Sequence, residues 1–254
     1  VQQIALPTIS RNIEISGFSS SNEMPVLYHT SFKIRNRYRS FSRNHMILFQ
    51  HLKFYNVKIA LSDVFVKFNN SEFVGVELIV EGEYAHMSLL NTHWYISKAL
   101  QQKEMVSYGN KVLFNGVKTF HIIMVGSKFI DTVFRISGVH GNIHIVNCSM
   151  TIRKNFTKTT SFLFTLKLHK HHFITRNVLH IENLTVFNLY ELGVFDLECH
   201  HFYITVMNSF VKHTSQVIKI AEKKLRKDEP ILVNFTLVKC QFLDISSFDR
   251  GSIY

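Results

Sequence analysis

The sequence predicts an all-β fold in which short strands and sharp bends wind into a solenoid of stacked coils. Three observations predict it. An eight-residue phrase recurs along the whole chain, apolar and polar residues alternate within it, and its fifth position is almost always Asn or Gly. Two clear copies are Ile122-Ile-Met-Val-Gly-Ser-Lys-Phe129 and, 21 residues on, Ile143-His-Ile-Val-Asn-Cys-Ser-Met150.

The phrases begin at Ile13, Leu52, Val66, Met87, Ile122, Ile143, Leu179, Ile204 and Phe235. Their first and third positions are apolar and the second is usually polar. That period-two alternation gives each opening strand one buried and one solvated face. The fifth position holds Gly17, Asn56, Asn70, Asn91, Gly126, Asn147, Asn183, Asn208 and finally Lys239. Asn and Gly tolerate the left-handed backbone that a sharp bend between two strands requires. An Asn there also offers its amide to an identical residue stacked above it, so these positions form a candidate bend ladder. After the first phrase, which has Ser20 there, the eighth position is apolar again (Ile59, Phe73, Trp94, Phe129, Met150, Val186, Val211, Phe242) and reads as the first inward residue of the next strand.

Spacing fixes the period. Asn70 and Asn91, like Gly126 and Asn147, are 21 residues apart, a length suited to one coil. The gap of 14 from Asn56 to Asn70 is too short for a full turn, so one of these two marks a different side of the coil. Gaps of 31 to 39 imply loop insertions, such as Tyr95–Tyr108 and Thr151–Ser161, or coils whose phrase has decayed. A helix is expected at Gln216–Lys227, with a solvated basic face, and Ser97–Val106 reads as a short helix or a loop. A leucine-rich repeat is hinted at only by Leu189–Leu197. A β-sandwich is the other source of short alternating strands with Asn turns.

With this phrase the chain resembles the right-handed parallel β-helix, or pectin-lyase-like, superfamily, whose coils carry apolar inward positions and Asn at a tight bend. The segment Phe242-Leu-Asp-Ile-Ser-Ser-Phe-Asp-Arg-Gly251-Ser-Ile-Tyr254 is similar to the F-x-x-N then G-G-A-I-Y repeat of polymorphic outer-membrane and adhesin-like β-helices. Ile245 stands where Asn is expected, and Arg250-Gly251-Ser252 replaces Gly-Gly-Ala. The resemblance implies a right-handed single-stranded parallel β-helix forming one domain over residues 1–254, a piece of a longer chain. It bears on fold more than on function.

Composition agrees. The 254 residues are 46% hydrophobic, with 23 Phe against one Trp, a bias toward strands. Three prolines and ten glycines exclude a collagen-like or linker protein. A formal charge of +11 favours anionic partners: acidic glycans, nucleic acid or lipid headgroups. No apolar run is long enough to span a bilayer. The N-terminus carries no basic-then-apolar leader, so a processed or excised piece is expected. Cys148, Cys199 and Cys240 allow at most one intramolecular disulfide beside a spare thiol.

Polysaccharide enzymes of this fold class hold calcium with clustered carboxylates and use Arg or Lys as base, or pair Asp residues for acid and base work. The outward second positions are Glu14, Lys53, Lys67, Ser88, Ile123, His144, His180, Thr205 and Thr236, with one carboxylate among them. Asp63, Asp131, Asp196 and Asp244 are scattered singly. Gly138-Val-His140-Gly141 is similar to the Gly-His-Gly of pectin hydrolases without its Asp partners.

Three other clusters bear chemistry. His171 and His172, and Cys199 with His200 and His201, are the candidate metal ligands, although their spacing fits no zinc signature, so no metal or other cofactor is expected. Asn69, Asn147, Asn155, Asn183 and Asn234 each open an N-x-S/T acceptor for glycosylation. Asn155 and Asn234 are the best placed, while Asn147 and Asn183 are expected to be buried in the bend ladder. Lys33, Arg35, Arg37 and Arg39, and Lys223, Lys224, Arg226 and Lys227, are candidate anion-binding clusters. No nucleic-acid motif accompanies them. The sequence therefore points to a non-enzymatic extracellular or cell-surface domain of a secreted or membrane-anchored glycoprotein, binding a protein or an acidic glycan. The alternative is a polysaccharide lyase or glycoside hydrolase acting on an anionic polymer.

Overall fold

The computed structural model describes residues 3–5, 13–17, 23–28, 31–35, 46–97, 109–153, 162–168, 177–189, 192–199, 202–222 and 233–245. Among these the fold is all-β, without a helix, and every strand ladder is parallel. Two sheets of 15 and nine strands carry three repeating columns, compatible with a β-helix-like solenoid.

The opening column runs through Ile13–Ser16, Met46–Gln50, Phe65–Asn69, the second halves of Glu77–Leu90, Asn110–Val125 and Thr132–Val146, then Asn177–Glu182, Phe202–Met207 and Val233–Val238. The middle column is the nine-stranded sheet, from Val26–Tyr28 through Lys53–Tyr55, Glu72–Val74, His93–Tyr95, Lys128–Ile130, Ser149–Thr151, Thr185–Phe187 and Phe210–Thr214 to Gln241–Ile245. The closing column holds Gln3–Ala5, Ser31–Arg35, Lys58–Ser62, the first halves of the three long strands, Phe162–Leu168, Gly193–Cys199 and Ile218–Glu222.

The alternation puts one apolar column inward on each side. In the middle sheet, register aligns Leu27, Phe54, Phe73, Trp94, Phe129, Met150, Val186, Val211 and Phe242. Phe73 and Trp94 stack with ring centroids 3.9 Å apart, and Phe49 lies on Phe68 at 5.0 Å. Register corrects one expected member of that column. The inward residue of the second coil is Phe54, whereas Ile59 belongs to the closing strand Lys58–Ser62.

Two of the three corners turn by left-handed residues in coil after coil, and Asp63 (φ 55°) adds one at the third, between closing and opening strands. Between opening and middle strands these are His51, Asn70, Asn91, Gly126, Asn147, Asn183, Asn208 and Lys239, with φ between 46° and 62°. From His51 to Asn208 their amides bond the next coil in an unbroken run, for example Asn70 N to Leu90 O and Asn91 N to Val125 O. Gly17 differs. It is not left-handed, and a Cβ there would meet the His51 carbonyl oxygen at 2.1 Å, so close approach is what requires glycine. Asn56 is left-handed but stands at the other corner, between middle and closing strands, with Gly75, Asp131, Asn188, His213 and Asp244. The short gap of 14 thus spans two sides of one path, and His51 is the true counterpart of Asn70.

Asn183 Nδ2 donates to Asn147 Oδ1 at 2.8 Å, a rung of the expected ladder, but both side chains are exposed rather than buried. Inside the same corner lies a buried column of Ser71, Thr92, Ser127, Cys148 and Ser209. Thr92 Oγ1 donates to Ser127 Oγ and accepts from Trp94 Nε1, both at 3.0 Å, so the hydroxyls are satisfied within the core. Cys148 and Cys240 are free, and burial pushes the Cys148 thiol up to about 11. The expected helix at Gln216–Lys227 is contradicted at its start. Ile218–Glu222 is a closing strand paired with Phe195–Cys199, because Ile218 and Ile220 meet Phe195 and Leu197 and that packing overrides helical propensity. Most of Ser97–Val106 lies outside the described residues.

Candidate functional site

The outward face of the opening column carries a row of titratable side chains on successive coils. Register sets Glu14, Leu48, Lys67, Ser88, Ile123, His144, His180, Thr205 and Thr236 in one row. Leu48, not Lys53, is the second coil's member, since Lys53 lies in the middle sheet. A neighbouring row holds Met46, Phe65, His86, His121, Asn142, Val178, Tyr203 and Asn234. Strand alternation points both rows outward.

Across these rows runs a continuous line of rings. Phe65 meets His86 at 5.2 Å, His86 meets His121 at 4.9 Å, His121 meets His144 at 5.7 Å and His144 meets His180 at 5.7 Å between centroids. His86 and His121 are direct register partners, as are His144 and His180; the step between the pairs is diagonal. His86 Nε2 lies 3.2 Å from Ser88 Oγ, and His180 Nε2 lies 3.8 Å from Glu182 Oε2. Burial lowers His86 to about 4, with the His121 charge adding to the effect. Burial also lowers His121 and His144, each helped by the next imidazole along the line. These three imidazoles are therefore neutral at pH 7 and form an aromatic strip.

A second cluster lies on the middle sheet. Lys53 pairs with Glu72 at 2.9 Å, Tyr95 donates to the same carboxylate at 3.0 Å, and Tyr28 packs on Tyr55 at 5.6 Å. His93 packs against Tyr95, and its Nε2 is buried without a hydrogen-bond partner.

The glycines of Gly138-Val-His140-Gly141 have a packing reason. A Cβ on Gly138 would meet the Phe120 ring at 2.5 Å, and one on Gly141 would meet it at 2.3 Å. Gly82, Gly116 and Gly138 align where closing strands pass into opening strands, so the segment is part of a corner. His140 Nδ1 is buried without a partner.

Of the acceptor asparagines, Asn234 is exposed on its strand, Asn147 and Asn183 are exposed at the bend, and Asn69 is half-buried; Asn155 lies outside the described residues. Lys33 is exposed on Ser31–Arg35, whose Arg35 pairs its backbone with Ser62. Arg37, Arg39, Lys223, Lys224, Arg226 and Lys227, the Arg35 side chain, His171, His172, His200, His201 and the Cys199 side chain lie outside the described residues. No group of three or more His, Cys, Asp or Glu among the described residues is placed to hold a metal ion, and no described helix is long and apolar enough to cross a membrane.

The linear reading set His144 and His180 at successive outward positions, but His86 and His121 escaped it. His86 and His121 are 35 residues apart, and only register makes them neighbours. The available signal was H-x-S at His86, H-x-I at His121 and H-x-E at His180, each within an opening strand. Compared with protein-family models, curated proteins and solved structures, the chain matches none.

Proposed function

We propose that this chain is a right-handed parallel β-helix serving as the binding module of an extracellular or cell-surface glycoprotein, with an anionic glycan or a protein as its partner. The observation that carries the reading is the outward face of the opening column. Its two rows and the row beside them hold only two described carboxylates, Glu14 and Glu182, and these stand six coils apart. At the ordinary spacing of paired strands that is about 29 Å. Acid and base carboxylates of glycosidases stand roughly 5–9.5 Å apart. The face is long, flat and lined by rings, suited to extended contact rather than to bond cleavage. Net charge of +11 favours an acidic partner. Exposed Asn234, followed by exposed Thr236, supports a secretory route.

The test is retention of the whole chain on immobilised sulfated and uronate polymers against neutral polymers, with the polymer analysed afterwards. Salt-sensitive retention on the acidic polymers with no new chain ends supports the module. Appearance of unsaturated or reducing ends in the polymer would establish the lyase or hydrolase instead.

A further inference from the structure

We infer that the line His86–His121–His144–His180 is the contact surface for a polyanionic glycan, and that it takes hold of that glycan as the pH falls. The inference rests on the binding-module reading above and names its site and its control. The four imidazoles lie side by side on successive coils at 4.9 to 5.7 Å, each half-buried with part of its ring open to water. Such spacing gives a row of prospective charges at intervals close to those between monomers of an extended polysaccharide.

The groups that face this row decide its charge. Lys67 precedes it on Phe65–Asn69, Tyr84 and His140 lie in the same opening column, and Tyr203 follows on Phe202–Met207. Glu182, 3.8 Å from His180, is the one described carboxylate beside it. In neutral solution His86, His121 and His144 form an uncharged aromatic strip. In acid it gathers like charges one coil apart, which burial and mutual repulsion oppose. A polyanion laid along the row relieves that repulsion, so binding raises the imidazole pKa values and takes up protons. Each proton taken up changes the dissociation constant about tenfold per pH unit where the free imidazoles are neutral. Pairs of imidazoles on neighbouring strands also suit a borderline transition-metal ion, but among the described residues no third ligand converges on them.

The experiment measures binding of a size-defined heparin oligosaccharide to the whole chain at pH 7.5 and pH 5.0 at fixed ionic strength, for the wild type and for H86Q/H121Q/H144Q/H180Q. Binding at least about tenfold tighter at pH 5.0, with most of that gain lost in the variant, is expected. NMR titration of the wild-type imidazoles with and without the oligosaccharide keeps the question open should the variant fail to fold; pKa values raised by the ligand are expected. Equal binding at both pH values, or unmoved imidazole titrations, would overturn the inference and leave the binding module intact. No binding of this or any other acidic polymer at either pH would sink the inference together with the glycan arm of the binding-module reading.

Discussion

The coil that opens at Ile143 and the coil that opens at Phe235 carry the same phrase with opposite results. In the first, Ile143, Ile145, Cys148 and Met150 are all buried, Ile145 to 0% exposure. In the second, Phe235, Cys240 and Phe242 are only partly buried, and Leu237, the counterpart of Ile145, is 41% exposed. Yet the backbone turns alike in both, with φ of 53° at Asn147 and 51° at Lys239. The bend is thus a local property, whereas burial of an inward residue belongs to the coils on either side. The Ile143 coil has described partners on both sides, and the Phe235 coil on one.

The widest separation is expected between the core of the coils around Ile143, the Ile122 coil beneath it included, and that of the Phe235 coil. Phe129→Ala removes a buried ring that packs on Phe134 at 5.0 Å and on Trp94 at 6.2 Å, for a loss of about 3–5 kcal/mol in urea unfolding. Phe242→Ala, in the same column, is expected to lose roughly 1–2 kcal/mol, since less apolar area leaves water there. Equal losses would mean that the terminal coil is covered in solution.

Next in size is acid sensitivity, which sets the central face apart from the terminal one. His86 has a folded pKa of about 4, below its unfolded value near 6.5, so the unfolded chain binds more protons between those values. The stability from keeping this imidazole neutral is fully present above pH ~6.5 and is lost as the pH falls toward 4. His86→Gln is therefore expected to flatten the pH dependence of stability by roughly 1–2 kcal/mol, a figure discounted for partial exposure. Thermal melts at pH 7 and pH 4.5 check this; an unchanged slope would refute it.

A smaller effect tests the bend itself. Lys239→Gly relieves a left-handed non-glycine residue and is expected to gain about 1 kcal/mol, while Asn147→Ala is expected to lose about 1 kcal/mol and its bond from Asn183. The smallest effect on stability is expected at Asn234→Gln, which in a secretory host should remove one glycan by mass without moving the melting temperature. A melting shift without a mass change would contradict the proposed exposure-driven use of that site.

Much of this architecture could be read from linear order because two of its rules are local. Alternation names the inward residues, and Asn at Asn70, Asn91, Asn147, Asn183 and Asn208 names the bends, since both follow from backbone geometry. Where a rule is shared by two corners, linear order went only part of the way: the gap of 14 showed that Asn56 and Asn70 serve different sides but not which is which, and His51, which lacks the usual residue type, went unnoticed. Ile218–Glu222 failed for a different reason, because its partner Phe195–Cys199 lies in another coil and charge spacing carries no information about it. The imidazole line is the extreme case. The phrase alone aligned His144 with His180, but His86 and His121 stand outside the phrase, so their adjacency exists only after every coil has been laid on the last.

The parallel ladders also carry a mechanical consequence. Their backbone bonds point along the stack, so tension between its two ends loads the coils one after another, as links share a chain's load. A pull from the Phe235 end would peel away the thinnest link first, where Leu237 and Leu243 lie open, and leave the aromatic middle around Trp94 to part last. A stack built in this way is expected to yield by graded lengthening before it ruptures.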